Sequence, residues 1–143
     1  MKILCSWLGS GLFIFILACS PGPSSLINKF QKNKTGFDEL VSFLKTFPLN
    51  VGYSIDETKF PENIQDQLAD LEITDINASI SHCGGIVEYE FVSGWTKMSH
   101  VYFSKNTCDT TITQKGYYAK RSELVEVWGL GDGWFMWIDH DFY

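Results

Sequence analysis

Three hydrophobic spacings follow one another along the chain. From Ile3 to Ala18 nearly every position is apolar, broken by Ser6, Gly9, Ser10 and Gly11. Between Phe37 and Leu71 the apolar positions recur at helical intervals, and from Ile76 they alternate with polar ones. Phe37, Leu40, Val41, Leu44 and Phe47 form one stripe, with Thr35 and Asp38 spaced like a capping box and Pro48 closing the segment, which predicts an amphipathic helix. Pro61 at a first helical position, Glu62 in the first turn and the stripe Ile64, Leu68, Leu71 predict a second. Period-two alternation places strands near Ile76–Ser81, Ile86–Val92, Met98–Ser104, Glu123–Leu130 and Trp134–Phe142, with Thr110–Thr113 as a further short edge. Two helices followed by an antiparallel sheet read as an α+β domain: two N-terminal helices packed on one face of a four- to five-stranded antiparallel sheet.

Matching apolar to apolar in the first long hairpin sets Tyr89 opposite Val101 and Val87 opposite Phe103. In the last hairpin Asp132 and Gly133 suit a tight primed turn. With them at the tip, Trp128 faces Trp137, Leu130 faces Phe135 and Glu126 faces Asp139. Val125, Val127, Met136, Ile138 and Phe142 then form the core side. The other side carries Trp128, Trp137, Phe135, Leu130, Glu126, Asp139 and Asp141, joined from the first hairpin by Glu88, Glu90, His100 and Tyr102.

The opening segment is an address. One basic residue, Lys2, precedes the apolar run, which stops at Cys19, Ser20 and Pro21. Its sixteen residues, Ile3 to Ala18, reach about 24 Å as a helix, short of the roughly 30 Å hydrocarbon core, so a signal peptide fits better than a span. Ile16, Leu17, Ala18, Cys19 resembles the lipobox of bacterial lipoproteins. That resemblance implies removal of residues 1–18, acylation of Cys19 and a lipid anchor, with several acyl chains holding the protein at a membrane. Ser20 in place of the Asp that often marks inner-membrane retention implies the outer membrane or cell surface where one exists. Residues 19–34, with Pro21, Gly22, Pro23 and a run of Asn, Gln and Lys, read as a lipidated tether, leaving 35–143 as one globular domain.

The chain has 143 residues and a formal charge of −6. Loss of residues 1–18 removes only Lys2, leaving 10 basic against 17 acidic side chains, or −7. Such a surface repels phosphate backbones, which argues against nucleic acid as a partner. In an oxidising envelope, Cys83 and Cys108 are the two cysteines left in the domain. The register above brings Cys83 opposite Thr107, which predicts a Cys83–Cys108 disulfide. A zinc site from His82, Cys83 and Cys108 lacks paired-ligand spacing.

Two tryptophans on a solvent-facing sheet need an explanation. Either they pair across strands and are covered by the 105–122 loop with its Tyr117 and Tyr118, or they form a recognition platform with nearby carboxylates. The binding candidates are Trp128, Trp137, Glu126, Asp139 and Asp141, for a protein or glycan. Glu126, Asp139 and Asp141 lack an EF-hand-like loop that would support a calcium reading. Alternation sets His140 on the opposite side from Asp139 and Asp141, which weakens an acid–base site, and no nucleophile elbow, P-loop or zincin motif occurs. The expectation is therefore a non-enzymatic envelope module, needing no cofactor or metal, that binds or inhibits a partner. A structural envelope component and a small carboxylate-dependent hydrolase are the alternatives.

Overall fold

A computed structural model describes residues 21–48, 54–80, 87–96, 99–105 and 108–140. The elements run in the order α1 (Pro23–Leu44), a single 3-10 turn (Glu57–Lys59), α2 (Glu62–Asp70), β1 (Ile73–Ile80), β2 (Val87–Ser93), β3 (His100–Lys105), β4 (Tyr118–Lys120), β5 (Val125–Gly131) and β6 (Trp134–Asp139). The strands form one antiparallel sheet in the order β1-β2-β3-β6-β5-β4. The class is α+β as expected, with six strands.

The first correction concerns the tether. From Pro23 onward the chain is helical, and Pro23 itself fills a first-turn position where its missing N–H costs nothing. Leu26 and Phe30 precede Phe37 on the same stripe, and both are buried with Leu40, Val41 and Leu44. The Asn, Gln and Lys positions that suggested a linker are the water-facing side of this helix, whose composition is the same. Some also tie it down: Lys29 pairs with Glu72 at 2.8 Å, and Gln31 Nε2 donates to the Leu130 carbonyl at 3.1 Å. Thr35 lies inside the helix and is no cap. At Gly36 helix α2 comes close: a Cβ there would sit 3.3 Å from a Leu71 methyl, and Gln67 Nε2 donates to the Gly36 carbonyl. Among the described residues no helix is long and apolar enough to cross a membrane.

The core lies between α1 and one sheet face. Phe30 stacks on Phe103 at 5.0 Å, Phe37 meets Phe91 edge-on at 5.7 Å, and Trp134 packs edge-on to both helix rings. Edge and offset contacts of this kind add to the area buried.

Register supplies the other corrections. In the β2–β3 ladder Phe91 opposes Phe103 and Tyr89 opposes Lys105, four residues from the expected pairing. An even slip keeps every side chain on its face. Its cause is Trp95, which is buried in the core and donates its indole N–H to the Leu71 carbonyl at 2.9 Å, so the connecting loop turns later than alternation suggests. The register argument for Cys83 opposite Thr107 therefore falls; Cys83 and Thr107 lie outside the described residues, while Cys108 is disulfide-bonded. The edge strand is Tyr118–Lys120, and Thr110–Thr113 form turns.

At the last hairpin Asp132 (φ 53°) and Gly133 (φ 78°) make the expected tip. A bulge between Gly129 and Gly131 then inserts Leu130, so that Trp128 opposes Met136, Val127 opposes Trp137, Glu126 opposes Ile138 and Val125 opposes Asp139. One inserted residue exchanges the faces of everything before it. The bulge is where the 109–117 loop docks: Gly129 N–H donates to the Tyr117 carbonyl and Gly131 N–H to the Thr113 carbonyl. A Cβ on Gly129 would lie 2.0 Å from the Gln114 carbonyl oxygen, so only glycine admits that backbone.

Candidate recognition face

The face turned away from the helices carries, from β1 to β6, Asn77, Glu88, Glu90, Tyr102, Ser104, Phe135, Trp137 and Asp139, as the ladder pairings require. Tyr102 and Trp137 are directly opposed, and their rings stack at 3.9 Å with an interplanar angle of 8°. Trp137 donates its indole N–H to Glu90 Oε2 at 3.1 Å, and Asn77 Nδ2 donates to Glu90 Oε1 at 3.1 Å. Glu90, on β2, thus ties β1 to β6 across the intervening β3, and with the Tyr102 stack from β3 four strands set the indole orientation. Beside this pair, along the row Glu90, Ser104, Phe135, runs a groove of about 300 Å³ lined also by Ser54, Asn77, Ser79 and Glu88.

Of the residues singled out from the sequence, Trp137 and Asp139 lie on this face, and both are partly buried. Trp128 and Glu126 do not: the bulge turns them to the helix side, where Trp128 packs against the core. Leu130 is also buried in the core, against the expectation that it faced Phe135. Glu126 and Asp139 are not opposed, so the like-charge pair expected there does not form. Cys19 and Asp141 lie outside the described residues.

The bulge creates a second constellation that alternation alone hid. Tyr118 Oη donates to Glu126 Oε1 at 2.7 Å, His140 Nε2 lies 3.0 Å from Glu126 Oε2, and Ser99 Oγ lies 3.3 Å from His140 Nδ1. The hydrogen bond from Tyr118, and then the one from His140, hold the Glu126 carboxyl below its usual range, while Glu126 raises the Tyr118 phenol. Ser99 and His140 open on an apolar hollow of about 170 Å³ beside the start of α1, lined by Pro21, Leu26, Val101 and Ile138 among others. His140 sits on the opposite face from Asp139, as alternation implies, but the bulge supplies a different carboxylate.

A third cluster secures α1. Asp38 accepts from Trp134 Nε1 at 2.8 Å and pairs with Lys34 at 2.6 Å, with Lys105 at 3.6 Å. Lys105 lies over the Trp134 ring and donates to the Asp132 carbonyl. Burial opposes ionisation of Asp38, yet the hydrogen bonds from Lys34 and Trp134 outweigh it and keep this carboxyl below its usual range.

No protein family, curated protein or solved structure matches the chain.

Proposed function

We propose that the chain is a lipid-anchored protein of the bacterial envelope that works by recognition, holding a protein or glycan partner against the outer face of its sheet. The observation that carries this reading is Trp137, stacked on Tyr102 and fixed through its indole N–H by Glu90. A sheet face turned to water is ordinarily polar, whereas aromatic rings beside hydrogen-bonding groups characterise contact surfaces. Holding the rings in place before binding reduces the ordering cost of association. The anchor is Cys19, acylated after removal of residues 1–18, and Cys83 is the partner of Cys108. Inhibitory and immunity lipoproteins work in this general manner.

The test is capture from envelope extract by the intact protein and by Trp137→Ala and Tyr102→Ala variants. Lost capture with a folded domain supports the reading; unchanged capture refutes this face as the contact, and no capture by the intact protein refutes recognition and leaves a structural envelope component. Trp128→Ala is the contrast, because that ring packs on the core and its loss acts on stability. The anchor is tested separately: Cys19→Ser abolishes incorporation of labelled fatty acid and releases the protein from membranes.

A second reading rests on Ser99, His140 and Glu126. A hydroxyl, an imidazole and a carboxylate in hydrogen-bond sequence are the groups of nucleophilic acyl transfer. A fluorophosphonate probe that labels Ser99, and fails to do so in His140→Ala, favours catalysis; an unlabelled Ser99 removes it.

A further inference from the structure

The groove beside the aromatic stack has a chemistry of its own. Glu90 and Glu88 line one side, Phe135 the other, and Ser104 lies between. Among the described residues both oxygens of Glu90 accept only neutral donors, Asn77 and Trp137, and no cation pairs with it. Ser104 is 5% exposed, and its Oγ is buried without a hydrogen-bond partner among the described residues. A half-buried carboxylate that lacks a counter-charge and a buried hydroxyl that lacks a partner both cost free energy, and one occupant that donates to both relieves them.

The occupant's charge follows from the lining: among the described residues it holds no basic side chain, and Glu90, whose two oxygens meet only neutral donors there, calls for a cation. A hard metal ion fits poorly, since it needs several oxygens drawn together at about 2.0–2.6 Å, and Glu90 already turns its two oxygens to separate N–H donors. Among the described residues no group of three acidic, His or Cys side chains is placed to hold one. A guanidinium suits the site better. It is planar enough to lie on the Phe135 ring, it carries five donors for carboxylate and hydroxyl acceptors, and it sheds water more readily than an ammonium. The volume is at the low end for a ligand pocket, enough for one long side chain and not for a folded segment.

We infer that this groove is a guanidinium site that receives an arginine side chain from a protein partner. The inference rests on the outer face being a recognition surface, and it narrows the partner to a protein. The acidity of the processed chain, −7 by the count above, draws a basic partner surface toward it. The arginine anchors in the groove while the adjoining Trp137 and Tyr102 take the apolar contact around it, the arrangement in which arginine and aromatic residues dominate binding.

The experiment uses the full chain in a non-ionic detergent and four probes: a blocked tetrapeptide with one arginine, the same peptide with lysine, the same with citrulline, and free L-arginine. Citrulline keeps the shape and loses the charge. Calorimetric titration is expected to show the arginine peptide binding roughly tenfold or more tighter than the citrulline peptide, with lysine between and with weakening at high salt. Glu90→Gln and Ser104→Ala are each expected to weaken the arginine peptide severalfold, with melting curves confirming the fold; Glu88→Gln substitutes if Glu90→Gln unfolds. Equal binding of arginine and citrulline peptides, no binding of either, or indifference to these variants overturns the site. Free arginine binding as tightly as the peptide overturns a protein side chain as its source. Lost capture by Trp137→Ala combined with a silent groove sinks this inference alone, whereas a responsive groove with unchanged capture sinks the broader reading of the aromatic face.

Discussion

Removing the carboxylate that joins α1 to the sheet tests the structural argument most directly. Asp38 accepts from the indole of Trp134, whose side chain is 0% exposed, and it balances Lys34 and Lys105. In Asp38→Ala the indole N–H is left buried and unpaired, at a cost of about 1–3 kcal/mol. The two ion pairs add less, because the Asp38 side chain is 40% exposed: roughly 0.3–1 kcal/mol each after screening. Alanine returns up to about 0.6 kcal/mol through its better helix propensity. The expected net loss is about 1–4 kcal/mol, read as a lower urea midpoint at unchanged slope and a melting temperature down by very roughly 4 °C per kcal/mol. Asp38→Asn keeps an acceptor for the indole and loses the two ion pairs, an expected cost of about 0.6–2 kcal/mol. The sign of the pH dependence is set by the lowered carboxyl: the protein's advantage over Asp38→Asn is fully present above the ordinary aspartate range and disappears as pH falls through the lowered value. An Asp38→Ala protein within about 0.5 kcal/mol of the parent, or a gap to Asp38→Asn that widens in acid, would falsify the account.

Three further outcomes are expected. Gly129→Ala drives a methyl into the Gln114 carbonyl and is expected to cost several kcal/mol or to eject the 109–117 loop, seen as new proteolytic cleavage there; a tolerated Gly129→Ala contradicts the docking described. Burial, helped by nearby Asp75, pushes the Glu57 carboxyl up, and its Oε1 is buried without a partner among the described residues. Glu57→Gln is therefore expected to raise the melting temperature at neutral pH, by an amount that shrinks as the medium is acidified toward the ordinary glutamate range; a constant effect across pH argues against the buried charge. Cys108→Ser, measured by denaturant unfolding, is expected to remove about 2–5 kcal/mol, and a reducing agent is expected to do the same to the parent protein and nothing to the variant.

The candidate site was legible in part. Trp137 and its acidic, aromatic neighbours could be assigned to the water-facing side because alternation is a property of a few consecutive residues. Their grouping with Trp128 and Glu126 failed at Leu130, since nothing local to the hairpin announces an inserted residue. The one hint was Gly129 and Gly131 flanking it, since glycine within a strand often marks a bulge. The same insertion brought Glu126 to His140, a contact that the sequence pattern excluded.

What the chain determined by itself was therefore the set of short-range features: α2, with Pro61 at its N-cap one residue before the expected place, the parity of β2, β3 and β6, and the turn at Asp132 and Gly133. Each depends on backbone preferences within one turn or one strand. Tertiary structure decided the rest. A linker-like stretch became helix because Leu26 and Phe30 had a core to enter, the β2–β3 register moved because Trp95 found the Leu71 carbonyl, and β5 changed face because a loop more than ten residues earlier needed its N–H groups. Those choices are made by partners distant in sequence, and periodicity carries no record of them.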